Sequence, residues 1–208
     1  HLLNTYIQAD HADPMSTVDN FSLVELIVQT GVHDAIAKKL NAKGNLSKGA
    51  IAEGIINNVR KTIIREQLTD PKFYEGMSQL LEDLIKQSRD DAAAYEEFLR
   101  KAEALVRQLG QKGPGNSPAA LNGHREAIVL FNNLDSIATT TFQCPKDEGA
   151  KVKLALDIDL AMRGSAPASW RGDPAREAQV LNALFPLMGR DRVATSAIFE
   201  IIKNQQGY

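Results

Sequence analysis

The sequence predicts an all-α fold, and three observations carry that expectation. Apolar residues recur three and four positions apart along most of the chain, the spacing that gathers them on one helical face. Residues that cap helix starts stand where such faces begin: Ser22 followed by Glu25, and the pairs Asp70-Pro71 and Asp173-Pro174. Strand-like stretches are almost lacking; Thr139-Thr140-Thr141-Phe142 reads either as one short strand or as an irregular loop. The expected architecture is an irregular helical bundle, with a long helix or helical hairpin over about 72–109 and a smaller C-terminal helical subdomain.

Ser22 and Glu25 form a capping-box pattern, which predicts a helix over Leu23 to Gln29 with Leu23, Leu26 and Ile27 on its apolar face, ended by Gly31. Residues 41–45 read as a polar turn. Ser47 then caps a helix whose Ile51, Ile55, Val59 and Ile63 repeat every four residues and face a core. Asn57, Arg60, Lys61 and Arg65 lie around the rest of that helix. From Asp70-Pro71 the positions Met77, Leu81, Leu84, Ser88, Asp91, Tyr95, Phe98, Ala102, Leu105 and Leu109 follow alternating steps of four and three, a coiled-coil seam. One helix over 72–109 would be roughly 57 Å long, too long for a single small core to cover, so it must pack lengthwise on other helices or a partner. The polar stretch Ser88-Arg89-Asp90-Asp91 weakens the middle of the seam, and continuity and a break into a hairpin both remain open.

Gly110-Gln111-Lys112-Gly113-Pro114-Gly115-Asn116-Ser117-Pro118 is rich in residues that cannot extend a helix, and it divides the chain into an N-terminal helical part over 1–110, a linker over 111–118 and a C-terminal helical subdomain over 119–208. Past it, helices are expected from His124 to Leu134, from Ala150 to Met162 with burial on more than one side, from Asp173-Pro174 to Phe185, and from Asp191 through Ile198, Ile201 and Ile202. The opening His1-Leu2-Leu3-Asn4-Thr5-Tyr6-Ile7 already has helical spacing, which suggests a piece of a longer polypeptide.

Composition narrows the function classes. The 208 residues carry 24 basic and 26 acidic side chains, with 13 basic and 16 acidic up to Gly110 and 11 and 10 beyond it, so neither part is a basic nucleic-acid clamp. The single Cys144 excludes an intrachain disulfide framework and a zinc site built on several cysteines, and a reducing cytoplasmic setting is expected. No run approaches the roughly 20 apolar residues needed to span a bilayer.

Chemistry-bearing motifs are sparse. Gly44-Asn45-Leu46-Ser47-Lys48-Gly49 lacks phosphate-loop spacing and reads as a helix-entry turn. Asp157 and Asp159 diverge by about 200° on a helix and cannot chelate one ion together. The histidines have no metal spacing, and Cys144 reads as an incidental thiol. No catalytic, cofactor-binding or metal-ligating residue is assigned. Trp170-Arg171-Gly172-Asp173-Pro174 has two readings: an aromatic and a cation offered to a base or partner, or a tryptophan plugging a core with a locally paired arginine. The end of the chain, from Ile201-Ile202-Lys203 to Tyr208, either docks back or engages a partner. The candidate interaction residues are Trp170, Arg171, Lys203, Tyr208, Tyr95 and Phe98. The candidate DNA contacts are Arg60, Lys61 and Arg65, with Lys38, Lys39, Lys43 and Lys48 as a second cluster.

Several segments resemble a known family. Leu26-Ile27-Val28-Gln29-Thr30-Gly31, Asn57-Asn58-Val59-Arg60-Lys61, the stretch from Pro71-Lys72-Phe73-Tyr74 to Leu81 and Ala94-Tyr95-Glu96-Glu97-Phe98-Leu99 resemble the C-terminal helical region of type I restriction enzyme R (HsdR, motor and endonuclease) subunits. So do Leu156-Asp157-Ile158-Asp159, Trp170-Arg171-Gly172-Asp173-Pro174 and Ile201-Ile202-Lys203-Asn204-Gln205 with Tyr208. The resemblance covers nearly the whole chain in the expected order. It implies a bacterial, cytoplasmic, non-catalytic assembly domain that docks an ATP-dependent DNA translocase and endonuclease onto the methyltransferase core. ATP and magnesium would belong to upstream domains, not to these residues. The partners implied are the methyltransferase (M) subunit and the rest of the same R subunit. The alternative is a helical DNA-contacting module that supports duplex leaving the motor.

Overall fold

The computed structural model describes residues 22–40, 46–87, 94–111 and 117–208. The protein is all-α: among the described residues there are nine α-helices and no strand. None of these helices is long and apolar enough to cross a membrane. The described residues form two compact units, drawn from His1–Val59 with Leu84–Gly110 and from Arg60–Asp83 with Gln111–Tyr208.

In the first unit, α1 (Leu23–Thr30) starts with the expected capping box: the Glu25 N–H donates to Ser22 Oγ at 3.1 Å and the Ser22 N–H to the Glu25 carboxylate at 2.7 Å. Leu23, Val24, Leu26 and Ile27 are buried. Gly31 ends the helix in the left-handed region (φ 86°), where a side chain would strain the backbone. A short α2 (Val32–Ala35) follows and widens into a π-turn over Ile36–Leu40. The Glu103 carboxylate of α5 (Ala94–Gln111) accepts the Val32 N–H at 3.2 Å and pairs with Arg107 at 2.7 Å, which holds its carboxyl below the ordinary range. Gly110 marks where α1 and α5 approach closely: a Cβ there would lie 2.8 Å from a Val28 methyl group. Helix α3 (Lys48–Glu66) belongs to the first unit as far as Val59 and to the second from Arg60, and its stripe Ile51, Ile55, Val59 and Ile63 is buried as its four-residue spacing requires.

The seam over 72–109 belongs to two described helices, α4 (Pro71–Gln87) and α5. Met77, Leu81, Leu84, Phe98, Ala102, Leu105 and Leu109 are all buried. Ser88 and Asp91, the weak middle of the seam, lie outside the described residues, as does most of the expected linker.

In the second unit, the start of α4 is held by a buried polar network. Asp70 Oδ1 caps the helix by accepting the Phe73 N–H at 3.3 Å and also accepts from Asn133 Nδ2 at 2.6 Å, while Oδ2 accepts from Asn132 Nδ2 at 2.9 Å. The Lys72 N–H donates to Asn133 Oδ1 at 3.0 Å. Burial raises the Asp70 pKa in spite of these donors. Asp70→Ala removes the cap and leaves two amides short of an acceptor. It is expected to cost about 2 kcal/mol, read as a lower urea midpoint at unchanged slope.

Four further helices make the main core: α6 (Arg125–Asn133), α7 (Glu148–Ser165), α8 (Pro174–Leu184) and α9 (Arg192–Lys203). They close a ring, with α7 against α6 and α8, and α9 against α8 and α6. Asp147, Asp173 and Asp191 cap α7, α8 and α9 by accepting N–H groups of the first turn. Inside lie Leu130, Leu134, Phe142, Ile158, Met162, Leu184, Met188, Ile198 and Ile202. Helix α7 buries Val152, Ala155, Ile158 and Met162 but leaves Leu160 71% exposed, so it is covered less completely than its apolar sequence predicts. Thr139–Phe142 is a turn: its Thr139 hydroxyl accepts the Phe142 N–H at 2.9 Å and donates to the Asp191 carboxylate, joining this loop to the start of α9.

Candidate functional site

Trp170, Arg171, Lys203 and Tyr208 come together at one corner of the second unit, where the loop after α7 meets the end of α9 and the last residues of the chain. The loop turns sharply because Ser169 (φ 53°) and Gly172 (φ 81°) adopt left-handed backbone. That turn places the Trp170 ring in the core, 2% exposed, with its centroid 5.6 Å from that of Phe199. Its indole Nε1 is buried and finds no hydrogen-bond partner among the described residues.

Arg171 lies over the Trp170 ring at 4.5 Å and spreads its guanidinium across the tail. Nε donates to the Lys203 carbonyl at 2.9 Å, Nη1 to the main-chain oxygen of Tyr208 at 2.6 Å, and Nη2 to the Gln205 carbonyl. Lys203 pairs with Glu177 at 2.8 Å, and the Glu177 carboxylate also accepts the Gly172 N–H at 2.8 Å. The Lys203 ammonium is the main reason that the Glu177 carboxyl titrates below its ordinary range. Gln205 donates to the Ile201 and Thr69 carbonyls, tying the tail to the turn before α4.

The tail ends on α7. The Tyr208 hydroxyl donates to Asp159 Oδ1 at 2.7 Å, and Arg163 Nε lies 3.0 Å from Oδ2 of the same carboxylate. Arg163 also reaches Glu126 at 3.0 Å, and His124 Nδ1 sits 3.8 Å from Asp159. Asp157, two residues earlier on the same helix, points elsewhere and pairs with Lys153 at 2.6 Å. The two aspartates diverge as their spacing requires, and among the described residues no cluster of three or more His, Cys, Asp or Glu is placed to hold a metal ion. A cleft of about 410 Å³ lies between the loop and the tail, lined by Met162, Arg163, Pro167, Trp170, Arg171 and Tyr208.

Burial, reinforced by the Asp159 carboxylate, pushes the Tyr208 phenol well above the usual tyrosine range. A raised phenol pKa stabilises the fold while the unfolded chain also keeps its proton. That contribution is lost as pH rises past about 10, where the unfolded tyrosine ionises and the folded one does not. Tyr208→Phe is therefore expected to flatten the alkaline fall in stability relative to the wild type, measured as urea midpoints at a series of pH values. An unchanged slope would mean that Tyr208 is not docked.

The other candidates stand on other elements. Phe98 is buried in α5 of the first unit, and Tyr95 is half-buried with the Lys48 ammonium 5.1 Å above its ring. Arg60, Lys61 and Arg65 are exposed on the last turns of α3, Arg65 paired with Glu66 at 3.0 Å. Lys43 lies outside the described residues. Cys144 is half-buried, and burial pushes its thiol up to about 11, away from nucleophilic use. Sequence reasoning did not single out Gln205, Glu177 or the Asp159–Arg163 pair, although the four-residue spacing of that pair on a helix is a readable signal. No family model, curated protein or solved structure matches this chain.

Proposed function

We propose that the chain is a non-catalytic helical assembly domain of the kind found at the C-terminus of type I restriction enzyme R subunits, attaching a DNA-translocating motor to the methyltransferase core. One observation carries the reading. The segments of the second half that carry the resemblance, 156–159, 170–174 and 201–208, meet at one corner and are spent on one another: Arg171 on the tail carbonyls, Tyr208 on Asp159, Trp170 in the core. Side chains committed to one another in this way build a scaffold rather than offer free groups at this corner. A fragment that only attaches leaves ATP hydrolysis and DNA cleavage, with ATP and magnesium, to domains upstream of it.

Retention of a purified methyltransferase core by the immobilised chain at micromolar concentration is the expected result. No retention, or nuclease or ATPase activity of the chain itself, overturns the reading. Duplex support is the second reading, favoured by Arg60 and Lys61, which are exposed and for which the described residues offer no ion pair. Phosphate contacts would make such binding fall steeply with salt.

A further inference from the structure

We infer that the C-terminal end of α3 is a docking surface for an acidic amphipathic helix of a protein partner. Isolated exposed aliphatics are ordinary on a protein surface, and Leu160 and Val193 are of that kind. Ile64 and Leu68 differ, because they stand four residues apart and are 59% and 61% exposed, Ile64 on the last turn of α3 and Leu68 in the turn that follows it. Cations flank them. Arg60 precedes Ile64 by one helical turn and Lys61 by three residues, both exposed, while the opposite face of the helix, through Val59 and Ile63, is committed to the core.

The mixture selects the occupant. A duplex backbone offers phosphates to Arg60 and Lys61 but nothing apolar to Ile64 and Leu68, and Arg65 is already tied to Glu66. An amphipathic helix whose apolar stripe is edged by Asp or Glu satisfies both sets at once, the stripe covering the two aliphatics and the carboxylates meeting the two cations. The inference deepens the attachment reading and rests on it for which protein carries the helix; the surface itself rests on exposure and charge.

Fluorescence anisotropy with the whole chain tests it, using a labelled helical peptide of leucine, glutamate and alanine with the leucines on one face. Expected is saturable binding that weakens about tenfold in Ile64→Ala/Leu68→Ala and again in Arg60→Glu/Lys61→Glu, with far-UV circular dichroism unchanged because all four positions are exposed. Equal binding of a scrambled peptide of the same composition overturns the proposal, since charge alone would then suffice. So does a short DNA duplex that binds more tightly than the peptide and ignores the two alanines. Peptide binding without retention of the methyltransferase core supports the surface while removing the family reading, so the two failures are told apart.

Discussion

Trp170→Ala is expected to destabilise the second unit by about 3–5 kcal/mol, the usual cost of emptying a buried aromatic site. The residue is 2% exposed and belongs to the cluster that includes Met162, Leu184, Ile198 and Phe199. The neighbouring loop has little freedom to collapse into the space, because Ser169 and Gly172 hold left-handed backbone and the Arg176 guanidinium braces the Ala168 carbonyl at 2.7 Å. Trp170→Phe separates packing from polarity. The indole N–H is buried and has no hydrogen-bond partner among the described residues, so removing it recovers part of a desolvation penalty of roughly 1–3 kcal/mol and offsets part of the lost volume. Phenylalanine should therefore cost far less than alanine. Urea unfolding followed by far-UV circular dichroism checks both, since Trp170 is the chain's single tryptophan and its fluorescence is lost in either variant. Equal losses for the two variants would mean that the indole makes a polar contact the fold depends on.

The helices were readable because their signals are local. A serine three residues before a glutamate, or an aspartate before a proline, states where free N–H groups are satisfied, and α1, α4 and α8 begin there. Four-residue spacing gave the buried face of α3 for the same reason. Asp70 shows the limit of that legibility. Its capping role follows from its place before Pro71, but its bonds to Asn132 and Asn133 cross more than sixty residues, and no periodicity encodes them. The π-turn at Ile36–Leu40 likewise has no signal in residues that suit an ordinary helix.

The corner at Trp170 was legible in its members and not in its logic. Tryptophan next to arginine marks a place where ring and cation meet, yet sequence leaves open whether the pair faces a partner or its own chain. The decision lies in the tail, because three carbonyls become available to Arg171 only when α9 ends beside the loop, a result of the ring of helices rather than of either segment. The exposure of Ile64 and Leu68 is a similar case: a leucine or isoleucine on a helix is assigned to a core by default, and only the packed structure leaves these two outside.

Arg171→Ala is expected to release the tail, with a loss of about 2–3 kcal/mol, because each bond from a charged donor is worth roughly 1.5–3 kcal/mol and three bonds on one exposed segment do not add in full. Arg171→Lys is the sharper test. A guanidinium is a planar fork whose Nε, Nη1 and Nη2 lie in one plane, and here each nitrogen serves a different carbonyl: Lys203, Tyr208 and Gln205. An ammonium keeps the charge over the Trp170 ring but concentrates its donors at one point, within reach of only some of those oxygens. Amide hydrogen exchange should then accelerate at residues 204–208 in both variants, while α8 and α9 keep their protection because the Lys203–Glu177 pair and the core beneath it are untouched. Acceleration that spreads into α9 would make Arg171 a support of the whole ring of helices. Wild-type exchange in the lysine variant would show that charge alone holds the tail, and the fork geometry would then have no part in docking it.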